Sequence, residues 1–325
     1  MFSLNGSKVV VIGGAGFIGS FVVRELLKED VREVIIYDNF VRGNMENIQE
    51  PLKDKRCKIF PHGGDIRETD ILNEALSGVD YVVHLAALWL LHCRDYPRTA
   101  FEVNIKGTFN VLEACIYNNV KKLVYSSSAS VYGNALEIPM TEDHPYNNRN
   151  FYGATKISGE AMSRSLCDRY GLNYVGLRYM NVYGPHQDQQ SAYSGVIPIM
   201  LNKIDAGETP VINGDGSQAY DFVYVEDVAR ANVLALKSST TDDFYNVGTG
   251  VQTSVSQLCD TILKLKQSNL EVLYKPYSGE DDRKLVTHRI GSTEKAEKEI
   301  GFRYKYDLET GLQKLIRWRD TGELD

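Results

Sequence analysis

The sequence has few of the features that mark secreted, membrane-spanning or disulfide-rich proteins. Its cysteines are odd in number and show no Cys-x-x-Cys spacing, which predicts reduced core or surface thiols rather than a disulfide framework or a zinc site. The five cysteines are Cys57, Cys93, Cys115, Cys167 and Cys259. No apolar run approaches the roughly 18 residues of a membrane-spanning segment, and no signal peptide opens the chain. We therefore expect a cytoplasmic protein that has no membrane partner.

Excess positive charge and metal-ligand patterns are also lacking. The 36 lysines and arginines stand against 43 aspartates and glutamates, for a net charge of −7. Without a basic stripe to neutralise phosphates, nucleic acid is excluded as a partner. The six histidines show no metal-ligand spacing, so no metal site is predicted. Because there is no repeat or low-complexity linker, the 325 residues should form one large domain or two intimate ones around a large core.

A glycine-rich loop near the N-terminus predicts a dinucleotide site. The loop Gly13–Gly19 follows an apolar run from Lys8 to Ile12 and precedes a helical pattern. A strand, a tight glycine turn and a helix N-terminus let the backbone approach a pyrophosphate, whose charge the positive end of the helix stabilises. A lone match of this kind would be a weak signal.

A second apolar run strengthens the prediction and indicates which dinucleotide binds. Val34 to Tyr37 ends in Asp38, 19 residues after the glycine loop. A carboxylate there accepts hydrogen bonds from the adenosine ribose hydroxyls and repels a 2′-phosphate, so NAD is favoured over NADP. Two alternatives remain open: Asp38 is only a turn residue before Asn39, or Arg42 accommodates a phosphate.

A serine, a tyrosine and a lysine form the candidate catalytic group. Tyr152 and Lys156 are four residues apart in a helical segment and so project from one face. The charge of the lysine is expected to hold the pKa of Tyr152 well below its ordinary value of about 10, so that the tyrosine can take a proton from an alcohol. Ser128 lies 24 residues upstream, just after an apolar run that ends at Ser126. Its hydroxyl should point into the crevice where ligands bind on open α/β sheets.

Taken in order, these motifs resemble those of the NAD-dependent nucleotide-sugar epimerase/dehydratase family of extended short-chain dehydrogenases/reductases, close to UDP-hexose 4-epimerases. The resemblance runs nearly end to end, and the shared order and spacing are very specific. The matching stretches are GGAGFIG, Asp38-Asn39, Gly64-Asp65-Ile66, His84-Leu85-Ala86-Ala87, Val103-Asn104, SSSASVYG, YGATK, Leu177 to Pro185 and Asp221 to Val225.

The predicted fold is α/β: a Rossmann-type doubly wound parallel sheet with a smaller, interleaved α/β substrate-binding domain. Strands are predicted over residues 8–12, 33–37, 57–60, 80–85, 121–126 and 173–178, with helical patterns between them. The NAD-binding domain is predicted over 1–180 plus about 222–250. The substrate-binding domain takes 181–221 and about 251–325.

The resemblance also implies roles for individual residues. Tyr152 would remove the proton of a sugar hydroxyl while the hydride of that carbon passes to NAD. Ser128 would hydrogen-bond the same oxygen, and Lys156 would bind the nicotinamide ribose. The implied cofactor-binding residues are Gly13, Gly16, Phe17, Ile18, Gly19, Asp38, Asn39, Gly43, Asp65, Ile66, Leu85, Ala86, Ala87, Asn104, Ser126, Tyr152, Lys156, Tyr179, Met180 and Val182. The implied substrate-binding residues are Ser128, Tyr152, Asn181, Val196, Asn213, Tyr220 and Arg283.

Three of these positions have plainer interpretations. Asn104 is equally a helix N-cap, since the segment from Phe101 looks helical. His84 is interpreted as a packed structural residue rather than a ligand, and Asp227 as a cap before a helix rather than a catalytic group.

The residues after Ser128 favour an epimerase over a dehydratase. Dehydratases of the family carry Asp-Glu at the position of Ala129-Ser130, and neither residue here can titrate usefully. Elimination is therefore disfavoured, and the interpretation is a UDP-hexose 4-epimerase that acts through a transient 4-keto sugar and serves polysaccharide biosynthesis. The alternatives are a nucleotide-sugar 4-ketoreductase, a dehydratase, or a non-catalytic NAD-binding sensor.

Two departures from the family pattern concern the substrate diphosphate. Tyr220 stands where the family usually has an arginine, and a later Arg-x-Gly-Asp/Glu reads Tyr277-Ser278-Gly279-Glu280. Because a diphosphate needs a nearby cation, Arg283, Lys284 and Arg289 are candidates to replace the missing arginine. Arg283→Ala or Arg289→Ala is expected to raise KM for the nucleotide sugar at least about tenfold, because the loss of a hydrogen bond to a charged group costs about 1.5 kcal/mol or more.

A homodimer is also predicted. The helical segments Phe101–Tyr117 and Tyr152–Tyr170 carry more apolar residues than packing on the sheet requires. Those residues include Val111, Leu112, Ile157, Met162 and Leu166. In the family, matching helices of two subunits form a four-helix contact; the alternative is that both stripes face only the sheet.

Overall fold

In the computed structural model of the protein, which describes residues 1–188, 195–276 and 288–324, seven parallel strands form one central sheet. The strands are β1 (Lys8–Ile12), β2 (Glu33–Tyr37), β3 (Cys57–Ile59), β4 (Tyr81–His84), β5 (Lys122–Ser128), β6 (Asn173–Tyr179), β7 (Asn181–Tyr183), β8 (Val211–Asn213), β9 (Ala219–Tyr220), β10 (Phe222–Tyr224), β11 (Asp243–Val247), β12 (Thr253–Ser254), β13 (Leu273–Lys275) and β14 (His288–Arg289). The order across the central sheet is β11-β6-β5-β4-β1-β2-β3.

Helices cover both faces of this sheet, as its almost wholly buried strands require. They are α1 (Phe17–Leu27), α2 (Met45–Ile48), α3 (Thr69–Ala75), α4 (Leu90–Asp95), α5 (Pro97–Ala100), α6 (Thr108–Tyr117), α7 (Phe151–Tyr170), α8 (Val196–Asp205), α9 (Val225–Lys237), α10 (Val255–Leu265), α11 (Glu294–Ile300) and α12 (Leu308–Thr321). A π-helix (Phe101–Gly107) leads directly into α6.

The order of the strands places a ligand crevice between β1 and β4. The chain runs outward from β1 through β2 to β3, then returns to the other side of β1 to begin β4. At such a reversal the connections leave in opposite directions and open a cleft at the carboxyl ends of the two strands. The backbone after β4 closes over β1, because the N–H groups of Leu85 and Ala86 both donate to the carbonyl of Ile12, at 2.8 and 3.1 Å.

The predicted α/β fold is confirmed, and the six predicted strands are present with ends shifted by one or two residues. The segment 222–247 was expected to return to the first domain. Its strand β11 joins the central sheet, whereas β10 pairs with β7 outside it. The free edge of β6 is taken by β11, so β10 pairs with the strand that continues β6 instead. The domain boundaries themselves stay a prediction.

The apolar residues of α6 and α7 divide between the core and the surface. Val111 and Leu112 are fully buried against the sheet, so their assignment to an outward stripe is wrong. The outward face carries other large apolar side chains, namely Phe101, Phe109 and Phe151. Packing on the sheet therefore does not account for these aromatic residues.

The five cysteines are buried and none is paired with another. Among the described helices, none combines the length and the apolar composition needed to cross a membrane. Within 1–188, 195–276 and 288–324, no group of three or more His, Cys, Asp or Glu side chains is placed to hold a metal ion.

Candidate active site

The glycine loop after β1 forms a tight turn against the first helix. Gly13 has a φ of +85°, which disfavours any other residue, and a Cβ there would lie 2.8 Å from the amide nitrogen of Ala86. A Cβ on Gly19 would lie 2.0 Å from the carbonyl oxygen of Gly13. Helix α1 begins after Gly16 without a side-chain cap, so its first N–H groups are available to an anion. These features fit the pyrophosphate of a dinucleotide.

We expect Gly19→Ala to lower the free energy of unfolding by about 1–3 kcal/mol, because the added methyl group must displace backbone atoms of the turn. The variant should also bind NAD more weakly. Gly16→Ala is the matched control, because a Cβ there meets only the carbonyl of Gly13, at 3.3 Å. Thermal unfolding of both variants checks the prediction, and equal melting temperatures would contradict it.

Asp38 stands at the carboxyl end of β2, where the ribose of a dinucleotide is expected. Its carboxylate accepts hydrogen bonds from the backbone N–H groups of Ala15 and Phe40, both at 2.9 Å. Arg42 is held elsewhere: its guanidinium lies 5.6 Å from the Trp89 ring centroid and 3.9 Å from a carboxylate oxygen of Asp188. Because Arg42 already has these contacts, the arrangement favours the interpretation of Asp38 as an NAD-binding residue.

Asn104 lies in the π-helix and connects two segments of the site. Its amide nitrogen donates to the carbonyl of Leu88 at 2.8 Å and to the hydroxyl of Thr155 at 3.1 Å, and its oxygen accepts the Leu88 N–H at 2.7 Å. The alternative that Asn104 is a helix N-cap is therefore wrong, because the chain is already helical before it. Asn104 instead fixes the loop after β4 to the residue that precedes Lys156.

Strand β5 and helix α7 bring the three candidate catalytic residues together. Ser128 ends β5, and α7 begins one residue before Tyr152, where Asn150 caps it by accepting the Gly153 N–H at 2.8 Å. The Ser128 hydroxyl lies near that of Tyr152 and lowers the pKa of its phenol. The Lys156 ammonium is buried and donates to the carbonyl of Ser126 at 2.6 Å. The predicted Ser-Tyr-Lys group is therefore assembled at the carboxyl edge of the sheet.

The predicted effect of Lys156 on the tyrosine is wrong in this structure. Burial raises the pKa of Tyr152 to about 12, and the Ser128 hydroxyl and the charge of Arg289 offset this only in part. Lys156 is not among the groups that shift this pKa, and its ammonium donates to the Ser126 carbonyl instead of the phenol. Burial also lowers the pKa of Lys156 to about 8.

The sequence analysis did not predict a buried ion pair that lies next to the catalytic residues. The Arg178 guanidinium bonds both carboxylate oxygens of Glu160, at 2.9 and 2.8 Å, and both side chains are almost fully buried. The Ser127 hydroxyl also donates to Glu160, at 2.5 Å. Two signals were present: an arginine within an apolar strand, and a glutamate four residues after Lys156. The pair joins α7 to β5 and β6 directly behind the catalytic residues.

His84 is a packed structural residue, as interpreted, but the interpretation of Asp227 as a helix cap is wrong, because α9 begins at Val225 and Tyr224 occupies its N-cap position. The buried His84 bonds the Thr108 hydroxyl at 3.1 Å, and burial lowers its pKa to about 3. Asp227 accepts the backbone N–H groups of Lys305 and Tyr306 at 2.9 and 3.1 Å, so it ties α9 to the segment before α12.

The predicted substrate residues lie on the smaller strands beside the central sheet. Asn181 begins β7, and its amide nitrogen is buried without a hydrogen-bond acceptor among the described residues. Tyr220 in β9 is paired directly with Arg289 in β14. Val196 is the first residue of α8, and Asn213 is the last residue of β8. Arg283 and Lys284 lie outside the described residues.

The remaining cofactor residues flank the same crevice. Ile66 and Met180 are buried, whereas Asn39 is exposed and Val182 partly exposed. The Asp65 carboxylate bonds the Arg67 guanidinium, and its carbonyl accepts the Tyr37 hydroxyl at 2.9 Å.

Comparison with known proteins points to one family. The model of the NAD dependent epimerase/dehydratase family matches residues 9–248. A putative UDP-glucose 4-epimerase of Methanocaldococcus jannaschii is 36% identical over 315 residues, which cover 95% of this chain and 97% of that protein.

Two solved structures are similar over nearly the whole chain. The UDP-N-acetylglucosamine 4-epimerase from Methanobrevibacter ruminantium M1, in complex with UDP-N-acetylmuramic acid, has a TM-score of 0.91 at 34% identity and covers 98% of this chain and 100% of its own. The UDP-glucose 4-epimerase of Thermotoga maritima with UDP-glucose has a TM-score of 0.88 at 34% identity, with coverage of 97% and 100%.

Proposed function

Because the chain belongs to the NAD dependent epimerase/dehydratase family, whose cofactor is NAD, we propose that it is an epimerase that interconverts the C4 epimers of a UDP-sugar. The relatives named UDP-glucose and UDP-N-acetylglucosamine 4-epimerase support a UDP-sugar as substrate. The glycine turn and Asp38 support NAD as the bound cofactor.

The side chains at the end of β5 are the observation that favours an epimerase over a dehydratase. The hydroxyl groups of Ser128 and Tyr152 lie near each other there, so both can bind one sugar hydroxyl. The next residues, Ala129 and Ser130, are buried and lack any carboxyl group. A dehydratase must protonate a leaving hydroxyl and remove a proton from the neighbouring carbon, and these positions supply neither group. Oxidation and reduction at one carbon are the chemistry that remains.

Several residues of the chain have separate roles in this reaction. Ser128 orients the C4 hydroxyl by hydrogen bonding, and Tyr152 takes its proton and later returns it. The glycine turn and Asp38 would hold NAD, which would supply the hydride chemistry at C4 as acceptor and then donor of the same hydrogen. Lys156 is proposed to bind the nicotinamide ribose, and Asn104 to hold the segment of α7 that carries it. Asn181, with its unsatisfied amide, and Arg283 are the proposed diphosphate contacts.

The reaction can be tested with purified protein that carries NAD. We expect proton NMR to show equilibration of UDP-glucose with UDP-galactose, or of another C4 pair, without a lasting rise in the near-ultraviolet absorbance of reduced nicotinamide. Stoichiometric consumption of added reduced cofactor would indicate a ketoreductase, and loss of water from the sugar a dehydratase. Cofactor binding without turnover of any nucleotide sugar would indicate a sensor.

We further propose that two copies associate through the outward face of α6, the preceding π-helix and α7. This face exposes the large side chains of Phe101, Phe109 and Phe151, and exposed aromatic residues on adjacent helices are typical of a protein interface. A second copy is the proposed occupant because the family resemblance assigns these helices to a subunit contact.

Sedimentation velocity at micromolar concentration should therefore show a dimer, and Phe109→Glu should shift it towards monomer because a charge would be buried in the contact. Tyr304→Glu is the control, since Tyr304 is 40% exposed and Phe109 39%, and Tyr304 lies outside this face. A monomeric wild-type protein would refute the dimer.

The cytoplasm remains the proposed location, with polysaccharide biosynthesis as the proposed use of the product. The five unpaired cysteines support a reducing compartment.

A further inference from the structure

Arg289 is a partly buried cation that the reaction described above does not use. It lies in β14, and its Nε atom is buried and has no hydrogen-bond partner among the described residues. No carboxylate of residues 1–188, 195–276 or 288–324 forms an ion pair with it. Burial lowers the pKa of its guanidinium, and the groups that oppose this effect are the phenols of Tyr220 and Tyr152. A charge in such a setting needs an anionic partner.

The nearby acidic side chain of Asp221 cannot be that partner. Both of its carboxylate oxygens are occupied by the loop after β11, where Asp221 accepts the Thr249 N–H at 2.8 Å, the Thr249 hydroxyl at 2.7 Å and the Gly250 N–H at 2.9 Å. The backbone of Asp221 holds β14 in place, because its N–H donates to the carbonyl of Arg289 at 3.0 Å. The strand position of Arg289 is thus fixed, and no carboxylate of the described residues neutralises its side chain.

The position of Arg289 relative to Tyr152 indicates which part of a substrate it meets. The segment that carries Arg289 packs against the end of β6, because a Cβ on Gly291 would lie 2.2 Å from the Met180 Cε. The charge of Arg289 also lowers the pKa of the Tyr152 phenol, which exchanges the proton of the reacting sugar hydroxyl, so we place Arg289 near the sugar. Pairing with Tyr220 places Arg289 on the strand next to β9, at the same level. A neutral hexose would leave this guanidinium without a partner in the closed cleft, whereas a carboxylate matches its two-pronged donor geometry.

We propose that Arg289 binds a carboxylate carried by the sugar, so that the preferred substrate is a UDP-linked uronic acid rather than a neutral UDP-hexose. The proposal rests on the proposed function as a UDP-sugar 4-epimerase. It differs from the sequence-based expectation for Arg289, which placed it on the diphosphate that every UDP-sugar shares.

The test compares two substrate pairs, UDP-glucuronate with UDP-galacturonate and UDP-glucose with UDP-galactose, in the wild type and in Arg289→Met and Arg289→Lys. We expect the wild type to convert the uronates with at least about tenfold higher kcat/KM. Arg289→Met should lower kcat/KM for the uronates about 100-fold or more, within the range for breaking a buried charge pair, but for the hexoses by less than about fivefold. Arg289→Lys should retain part of the uronate activity, because lysine keeps the positive charge but lacks the planar, bidentate donor geometry of the guanidinium.

Calorimetric measurement of UDP binding distinguishes whether Arg289 binds the sugar carboxylate or the diphosphate. UDP binding should be unchanged in Arg289→Met, as it should be in the control Arg303→Met, which makes the same change at an exposed arginine. Equal losses on both pairs, together with weaker UDP binding, would place Arg289 on the diphosphate and overturn the proposal while leaving the epimerase intact. A wild type that prefers the neutral pair, or a variant with unchanged uronate kinetics, also overturns it. A wild type that converts none of the four sugars contradicts the proposed function itself.

Discussion

Tyr152→Phe is expected to reduce turnover by a factor of about 10²–10⁴, because it removes the group that exchanges a proton with the sugar hydroxyl. The ring remains, so its packing between β5 and α7 and the binding of NAD should be preserved. The measurement is kcat on the preferred UDP-sugar, with bound NAD quantified after denaturation of the protein.

The control for this variant is Tyr170→Phe, the same change at the exposed end of the same helix. It should behave as wild type in both measurements. Near wild-type turnover in Tyr152→Phe would end the assignment of this residue as the acid/base group. Loss of NAD together with turnover would mean that the tyrosine acts mainly on the cofactor.

Lys156→Ala is expected to have a larger effect than Tyr152→Phe, because it should impair both cofactor binding and turnover. The variant deletes a buried ammonium and leaves the carbonyl of Ser126 without its donor. A lost charge-assisted hydrogen bond costs about 1.5–3 kcal/mol, so the Kd for NAD should rise at least about tenfold if the ammonium also binds the ribose. NAD titration by fluorescence or calorimetry measures this directly.

Lys106→Ala provides the control, since it removes an exposed lysine from the neighbouring π-helix. Thermal unfolding shows whether Lys156→Ala is folded. A folded Lys156→Ala protein with unaltered NAD affinity would remove the ribose role, whatever happens to turnover.

The sequence was sufficient for those parts of the site that depend on local order along the chain. The glycine turn needs a strand before it and a helix after it, and both patterns are visible around residues 8–27. Tyr152 and Lys156 share a helix face by their spacing, and Ser128 follows a clearly apolar strand. Because the carboxyl ends of parallel strands meet at one edge of the sheet, these local predictions also gave the site its place.

The features of the site that the sequence did not predict depend on tertiary contacts. The direction of the Lys156 ammonium depends on the Ser126 carbonyl, and the raised pKa of Tyr152 depends on burial, which spacing along a helix does not reveal. The π-helix around Asn104 looks like any helix start in the sequence, yet its geometry turns the side chain towards Leu88 and Thr155. The sequence also could not show that no carboxylate of the described residues pairs with Arg289, because this depends on the pairing of β9 with β14.

The central claim is that hydrogen leaves C4 of the sugar and returns to the same carbon within one closed site. A UDP-sugar labelled with deuterium at C4 tests it most directly, with mass spectrometry and NMR of the product. The account predicts that the C4 epimer forms with its deuterium retained at C4 and with no net change in the redox state of NAD. Loss of the label to solvent, or its accumulation in released cofactor, would contradict the account.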